Sequence, residues 1–250
     1  MDLKNVYIEQ NYDAYSAEDH EVWATLCRRQ LDSLRDKACR QFFEGLDRTG
    51  LDMTRLPRLE HINERVRPIT GWLARAVPGY IDPRYFFQSL QARTYPTTVS
   101  IRPKDRLDYL EEPDIFHDVF GHVALQSDPT YGELLRTLGD IDDITTTDQD
   151  VLEITRLFWF TIEFGLIRER GDVKILGSGL LSSYGEAIHC LSDKVQRRPF
   201  RLSEAVAQPF RIDTYQDVLF VVESLEQLIE ASKVLIYQIK ERNTIRWRDA

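Results

Sequence analysis

Apolar residues recur mostly at helical spacing along the chain. Val22, Trp23, Leu26, Leu31, Leu34, Ala38, Phe42 and Phe43 follow a period near 3.6, behind a capping-box pattern at Ser16-Ala17-Glu18-Asp19. The spacing predicts one long amphipathic helix that Gly45 or Gly50 can end. Asp82-Pro83 and Asp128-Pro129 each set an N-cap before a proline at the first helical position, ahead of apolar runs through Leu90 and Leu138. Further helices are expected from about Asp148 to Arg170, and after the N-cap Ser224 through Leu225, Leu228, Ile229, Val234 and Ile236. Strand signals are confined to residues 97–101, 173–176 and 218–222. No internal repeat and no low-complexity linker divides the chain. The expectation is a mainly α fold (α+β with a few short strands), one compact domain over residues 1–250 with its core at about 19–232.

Composition narrows the possible partners. The 250 residues are 42% hydrophobic and 29% charged, enough to bury a core without disulfides or a structural metal. With 32 Lys+Arg against 41 Asp+Glu, the net charge of −9 argues against a nucleic acid partner. No run of about 18 uncharged apolar residues predicts a membrane span. The first residues carry no apolar segment behind a basic cap, so no secretory signal is expected. Cys27, Cys39 and Cys190 are odd in number and lack C-x-x-C spacing. If Cys27 and Cys39 share one helix, they stand roughly 18 Å apart, too far to bridge. Reduced thiols in a cytoplasmic protein are the expectation.

The chemistry concentrates in Tyr109-Leu110-Glu111-Glu112-Pro113-Asp114-Ile115-Phe116-His117-Asp118-Val119-Phe120-Gly121-His122. His117 and His122 are five residues apart, and five residues turn a regular helix by about 500°, leaving the rings about 140° apart. A regular α-helix therefore does not aim both at one metal. A helix N-terminus, a loop-to-helix junction or a π-bulge could, with Gly121 permitting the adjustment. The spacing is not that of H-E-x-x-H zinc proteases. Two histidines that only cap or fill a helix are the competing reading.

Glu163 stands in the middle of the apolar run Leu157–Ile167. A buried carboxylate needs a cation. Arg156 or Arg168 could supply it, or a metal shared with His117 and His122. Two histidines and one carboxylate suit the facial triad of non-haem Fe(II) oxygenases, and by ligand type alone also zinc. The stretch Leu176–Glu186 pairs glycines with Ser182 and Ser183. It reads either as a turn around a small anionic ligand or as a strand–turn–helix with one of the serines as N-cap, Glu186 completing a capping box with Ser183.

Together these segments resemble the pterin-dependent aromatic amino acid hydroxylases, from roughly Asp19 to Ser232. The motifs that carry the resemblance follow one another in the family's order. They are Thr70-Gly71-Trp72, Val77-Pro78-Gly79-Tyr80-Ile81, Ile101-Arg102, Glu112–Val123, Trp159–Gly165, Gly177–Glu186 and Arg211-Ile212-Asp213. The resemblance implies Fe(II) held by His117, His122 and Glu163, and a tetrahydropterin (tetrahydrobiopterin-like) lined by Val77, Gly79, Tyr80 and Ile81. It implies that Phe86 stacks on the pterin and that Asp118 reaches it through water. Arg102 would pair with the substrate carboxylate, buttressed by Asp114, which suits a guanidinium fork. Ser182 and Ser183 would surround the substrate backbone, and Pro113, Trp159 and Phe164 its ring. No separate acid or base is implied. An apolar Ile212 together with Trp159 implies phenylalanine hydroxylated to tyrosine with O₂. Meta-hydroxylation, tryptophan as substrate and a non-catalytic amino-acid-binding module are the alternatives. Ala124 stands where the family usually has proline, and Gln126 where leucine is common. The resemblance further implies a catalytic domain without regulatory domain or tetramerisation helix, acting as a monomer.

Overall fold

The computed structural model describes residues 6–108, 112–141 and 147–248. Tyr109, Leu110 and Glu111, which open the histidine-bearing stretch, and residues 142–146 lie outside the described residues. Eleven α-helices are found among the described residues: α1 Ala17–Leu34, α2 Arg40–Thr49, α3 Leu59–Thr70, α4 Pro83–Gln91, α5 Ala124–Gln126, α6 Pro129–Gly139, α7 Asp148–Phe158, α8 Ser178–Ser182, α9 Tyr184–His189, α10 Leu202–Ala207 and α11 Leu225–Arg248. Two π-helices, Phe116–Val123 and Trp159–Glu163, continue into or out of α5 and α7. Strands β1 Leu73–Val77 and β2 Thr94–Thr98 form a parallel pair, Leu73 opposite Thr94 and Val77 opposite Thr98. Strands β3 Leu166–Glu169, β4 Asp172–Ile175, β5 Gln196–Pro199 and β6 Val218–Val222 form a sheet in the order β4-β3-β6-β5. The mainly helical fold with little sheet is the one expected.

The capping signals hold. Ser16 accepts from Asp19 N–H while Asp19 accepts from Ser16 N–H, a complete capping box. Asp82 and Asp128 cap α4 and α6 ahead of their prolines, and Ser224 accepts from Gln227 N–H at the start of α11. Two long helices are shorter than their periodicity predicts. The first breaks at residues 35–39, because Ala38 bridges Ile175 and Cys39 N–H donates to Ile175 O, a tertiary pairing with β4. Cys27 and Cys39 therefore do not share a helix; all three cysteines are buried and free, and burial pushes the thiols of Cys39 and Cys190 up to about 12. The second ends at Glu163 rather than Arg170, and the chain turns into β3. β1, β3 and β5 are not foreseen by the alternation pattern, because they are short and partly continuous with apolar runs.

An aromatic row fixes the back of the first π-helix. Trp23 of α1 meets Phe116 edge-on at 5.7 Å, Phe116 stacks on Phe120 at 4.8 Å, and Phe120 meets Phe42 of α2 at 5.2 Å. All four are buried. Together they anchor the segment that carries the histidines. No helix among the described residues is long and apolar enough to cross a membrane.

Candidate metal centre

The five-residue histidine spacing is resolved by the backbone. In a π-helix the i→i+5 hydrogen bond sets residue 122 one turn above residue 117, so both imidazoles share a face. Their ring centroids are 4.8 Å apart and their Nε2 atoms 3.1 Å apart. The second π-helix, closed by Phe164 N–H to Trp159 O at 2.8 Å, delivers Glu163 to the same point. Its Oε1 lies 3.0 Å from His122 Nε2 and its Oε2 3.8 Å from His117 Nε2. Among the described residues no other three His, Cys, Asp or Glu gather this way. Neither arginine weighed as a counter-charge meets Glu163: Arg156 donates to Val206 O, and Arg168 pairs with Glu223. Gly121 serves a different need from the one expected. Its φ is not positive, but a Cβ there would come within 2.9 Å of Ser178 O, so glycine allows α8 to pack onto the π-helix.

The donor set fits a divalent metal. Two ligand atoms at right angles on a metal with bonds near 2.1 Å stand roughly 3.0 Å apart, close to two of the three separations observed. Burial pushes the His117 imidazole down to about 4, against the pull of Glu163, so the ring is neutral at pH 7. Burial alone would raise the Glu163 carboxyl; His122, His117 and a backbone N–H from Gly179 outweigh it and hold it below the usual range. Ser182 Oγ donates its one proton to Ser178 O at 2.8 Å, so at 2.9 Å it accepts from His117 Nδ1–H. That leaves the His117 Nε2 lone pair facing the cluster.

The other anticipated residues take up several separate positions. Arg102 and Asp114 form a buried bidentate pair, and Asp114 Oδ1 also accepts the backbone N–H of His117 at 3.0 Å. Trp159 stacks between Phe164 at 4.6 Å and Phe210 at 4.4 Å. Asp118 is buried and accepts from Thr98 N–H at 2.6 Å; burial raises its carboxyl to about 7, opposed by His122 and the Thr98 bonds. Ser183 is the N-cap of α9, accepting from Glu186 N–H. Val77 is buried at the end of β1, Gly79, Ile81 and Pro113 are half-buried, and Tyr80 is exposed. Phe86 meets Tyr95 edge-on at 5.8 Å, and Tyr95 stacks on His122 at 4.9 Å, which links the α4 side to the cluster. Ile212 is 73% exposed, on a turn tied by Gln216 to Arg211 O.

Sequence reasoning missed Tyr95, Phe210, Thr98 and the Gly179 N–H. Tyr95 lies just before the expected strand, and its stacking on His122 depends on the β1–β2 register, for which the sequence held no signal.

Comparison with known proteins agrees with this geometry. The family model described as biopterin-dependent aromatic amino acid hydroxylase matches residues 10–250. Phenylalanine-4-hydroxylase of Chromobacterium violaceum is 40% identical over 232 residues, 92% of this chain and 78% of the relative. The enzyme of the same name from Caulobacter vibrioides is 38% identical over 226 residues, 90% of this chain and 77% of the relative. A crystal structure of the Chromobacterium violaceum phenylalanine hydroxylase, with bound iron(III) and the oxidised cofactor 7,8-dihydrobiopterin, superposes with a TM-score of 0.90, covering 95% of this chain and 87% of that one.

Proposed function

This chain belongs to the biopterin-dependent aromatic amino acid hydroxylases, and from that premise we propose that it hydroxylates L-phenylalanine to L-tyrosine, consuming O₂ and a tetrahydropterin at an Fe(II) site made by His117, His122 and Glu163. The observation that carries the reading is the convergence of two π-helices on one point, which brings two imidazoles and one carboxylate within 4.8 Å. Three protein ligands leave the remaining positions of an octahedral ion open. When bound, iron and tetrahydropterin supply the oxygen-activating redox chemistry.

The chain's own residues bind and orient. Ser182 holds the proton of His117 on Nδ1, which keeps Nε2 available to the metal. Arg102 spends three of its five N–H groups on Asp114 and Leu107 O, leaving one on each terminal nitrogen, the number a bidentate substrate carboxylate takes. Trp159, Phe164 and Pro113 offer apolar walls for the substrate ring. Val77, Gly79, Tyr80, Ile81 and Phe86 serve the pterin side, where Phe86 is one ring removed from His122. A carboxyl near 7 lets Asp118 give or take a hydrogen bond from pterin-bound water. Ser183 would border the substrate backbone, and the apolar side chain of Ile212 favours phenylalanine. Holding both organic partners against one metal face supplies much of the rate.

The buried free thiols support a reducing, cytoplasmic setting. The test is Glu163→Ala, assayed for iron content and for phenylalanine hydroxylation. Loss of both, with helical content retained, is expected. A variant that keeps iron and full activity would refute the ligand assignment.

A further inference from the structure

His122 raises a demand that the rest of the site leaves unmet. Its Nε2 faces Glu163 and His117, so as a metal ligand it carries its proton on Nδ1, at the opposite side of the ring. The residue is fully buried, and Nδ1 has no protein partner. Metal-bound histidines almost always donate that second N–H to an outer partner. For His117 the partner is Ser182.

One helical turn further on stands Gln126, also fully buried, with neither Oε1 nor Nε2 hydrogen-bonded. The first π-helix runs without a break into α5, so residues 122 and 126 are i and i+4 on one continuous helix, with Cβ atoms about 5–6 Å apart. Helical side chains lean toward the N-terminus, which carries the Gln126 amide back over the turn of His122. Leaving both groups unpaired is costly at about 1–3 kcal/mol each, whereas one buried water takes two to four polar partners.

We propose that Gln126 is a positioning residue for His122, its amide oxygen accepting a hydrogen bond from a buried water that itself accepts the His122 Nδ1–H. The water accepts a hydrogen bond from the ring N–H and donates one of its own to Oε1. A neutral amide behind the imidazole orients the ring and fixes its tautomer without adding a negative charge behind the metal. This rests on the assignment of His122 as a metal ligand.

The test compares Gln126→Met and Gln126→Glu with the parent, using Co(II) alone as the titrant. Gln126→Met keeps the volume and removes both polar atoms. Its Co(II) affinity is expected to fall roughly 10–100-fold. The melting temperature of its metal-free form should stay level or rise, because an apolar side chain replaces a buried polar one. Gln126→Glu, which restores an acceptor, should bind Co(II) within a few-fold of the parent. Equal affinity in Gln126→Met and the parent overturns the proposal. Glu163→Ala is titrated alongside: if it also binds as the parent does, the ligand assignment itself fails, and if it alone loses affinity, only the role of Gln126 fails. The parent protein provides a second readout, independent of how any variant folds. In the Zn(II)-loaded, ¹⁵N-histidine-labelled parent, the His122 Nδ1–H should be present, slow to exchange and in contact with a bound water; an Nδ1 without a proton overturns the proposal.

Discussion

Asp114 holds Arg102 from two directions at once: its Oδ2 meets Nε at 2.8 Å and its Oδ1 meets Nη2 at 2.9 Å. The same Oδ1 accepts the backbone N–H of His117, so one buried carboxylate fixes both the guanidinium and the first turn of the ligand-bearing π-helix. Burial alone would push the Asp114 carboxyl up, and Arg102 with the two backbone N–H groups holds it below the usual range. Asp114→Asn should therefore cost about 3–5 kcal/mol, because it leaves Arg102 buried without its counter-charge. Urea unfolding measures the loss. Phenylalanine KM should rise at least tenfold in surviving protein, with pterin KM little changed.

Ser182→Ala removes the acceptor for His117 Nδ1–H and frees the tautomer. Iron affinity should drop roughly 10–100-fold while the circular dichroism spectrum stays that of the parent. Chelator competition reads the difference, and an unchanged affinity would show that His117 is oriented by other contacts.

Gly121→Ala tests the packing of α8 on the π-helix. The added methyl would stand 2.9 Å from Ser178 O, and the backbone there has little room to retreat because Ser178 Oγ also bonds Gly121 O. A loss of about 1–3 kcal/mol is expected in thermal unfolding.

Glu186 is mostly buried with no charged partner, and burial raises its carboxyl to about 7. Between about 4.5 and 7 the folded state then binds more protons than the unfolded chain, so this group's contribution to stability is greatest below about 4.5 and is lost as pH rises through 7. Glu186→Gln should flatten that slope and stabilise the protein at pH 8, by roughly 2 kcal/mol after allowance for solvent screening of the exposed part. Melting temperatures of the two proteins from pH 5 to pH 8 test it. Parallel curves would exclude the titration.

The caps and the ligands were legible in the sequence for local reasons. Ser16, Asp82, Asp128 and Ser224 act within three residues of themselves, and the histidine spacing announced a departure from the α-helix by failing its geometry. Glu163 stood out because a carboxylate amid apolar neighbours needs a cation. What periodicity could not reveal were decisions made by distant chain: the break at Ala38, imposed by β4, and the turn after Glu163, where apolar residues continue through Phe164 into Leu166 and Ile167 with no stop signal but Gly165. Tyr95 on His122 and Phe210 on Trp159 depend on strand register and loop path, which leave no mark on the spacing of either residue.

The most direct measurement supplies the purified protein with Fe(II), a tetrahydropterin, O₂ and L-phenylalanine, and separates the products by chromatography. The account predicts para-tyrosine, formed with oxidation of the pterin and absent when iron is withheld. Iron-loaded protein that binds phenylalanine yet forms no hydroxylated product and leaves the pterin unoxidised would contradict it.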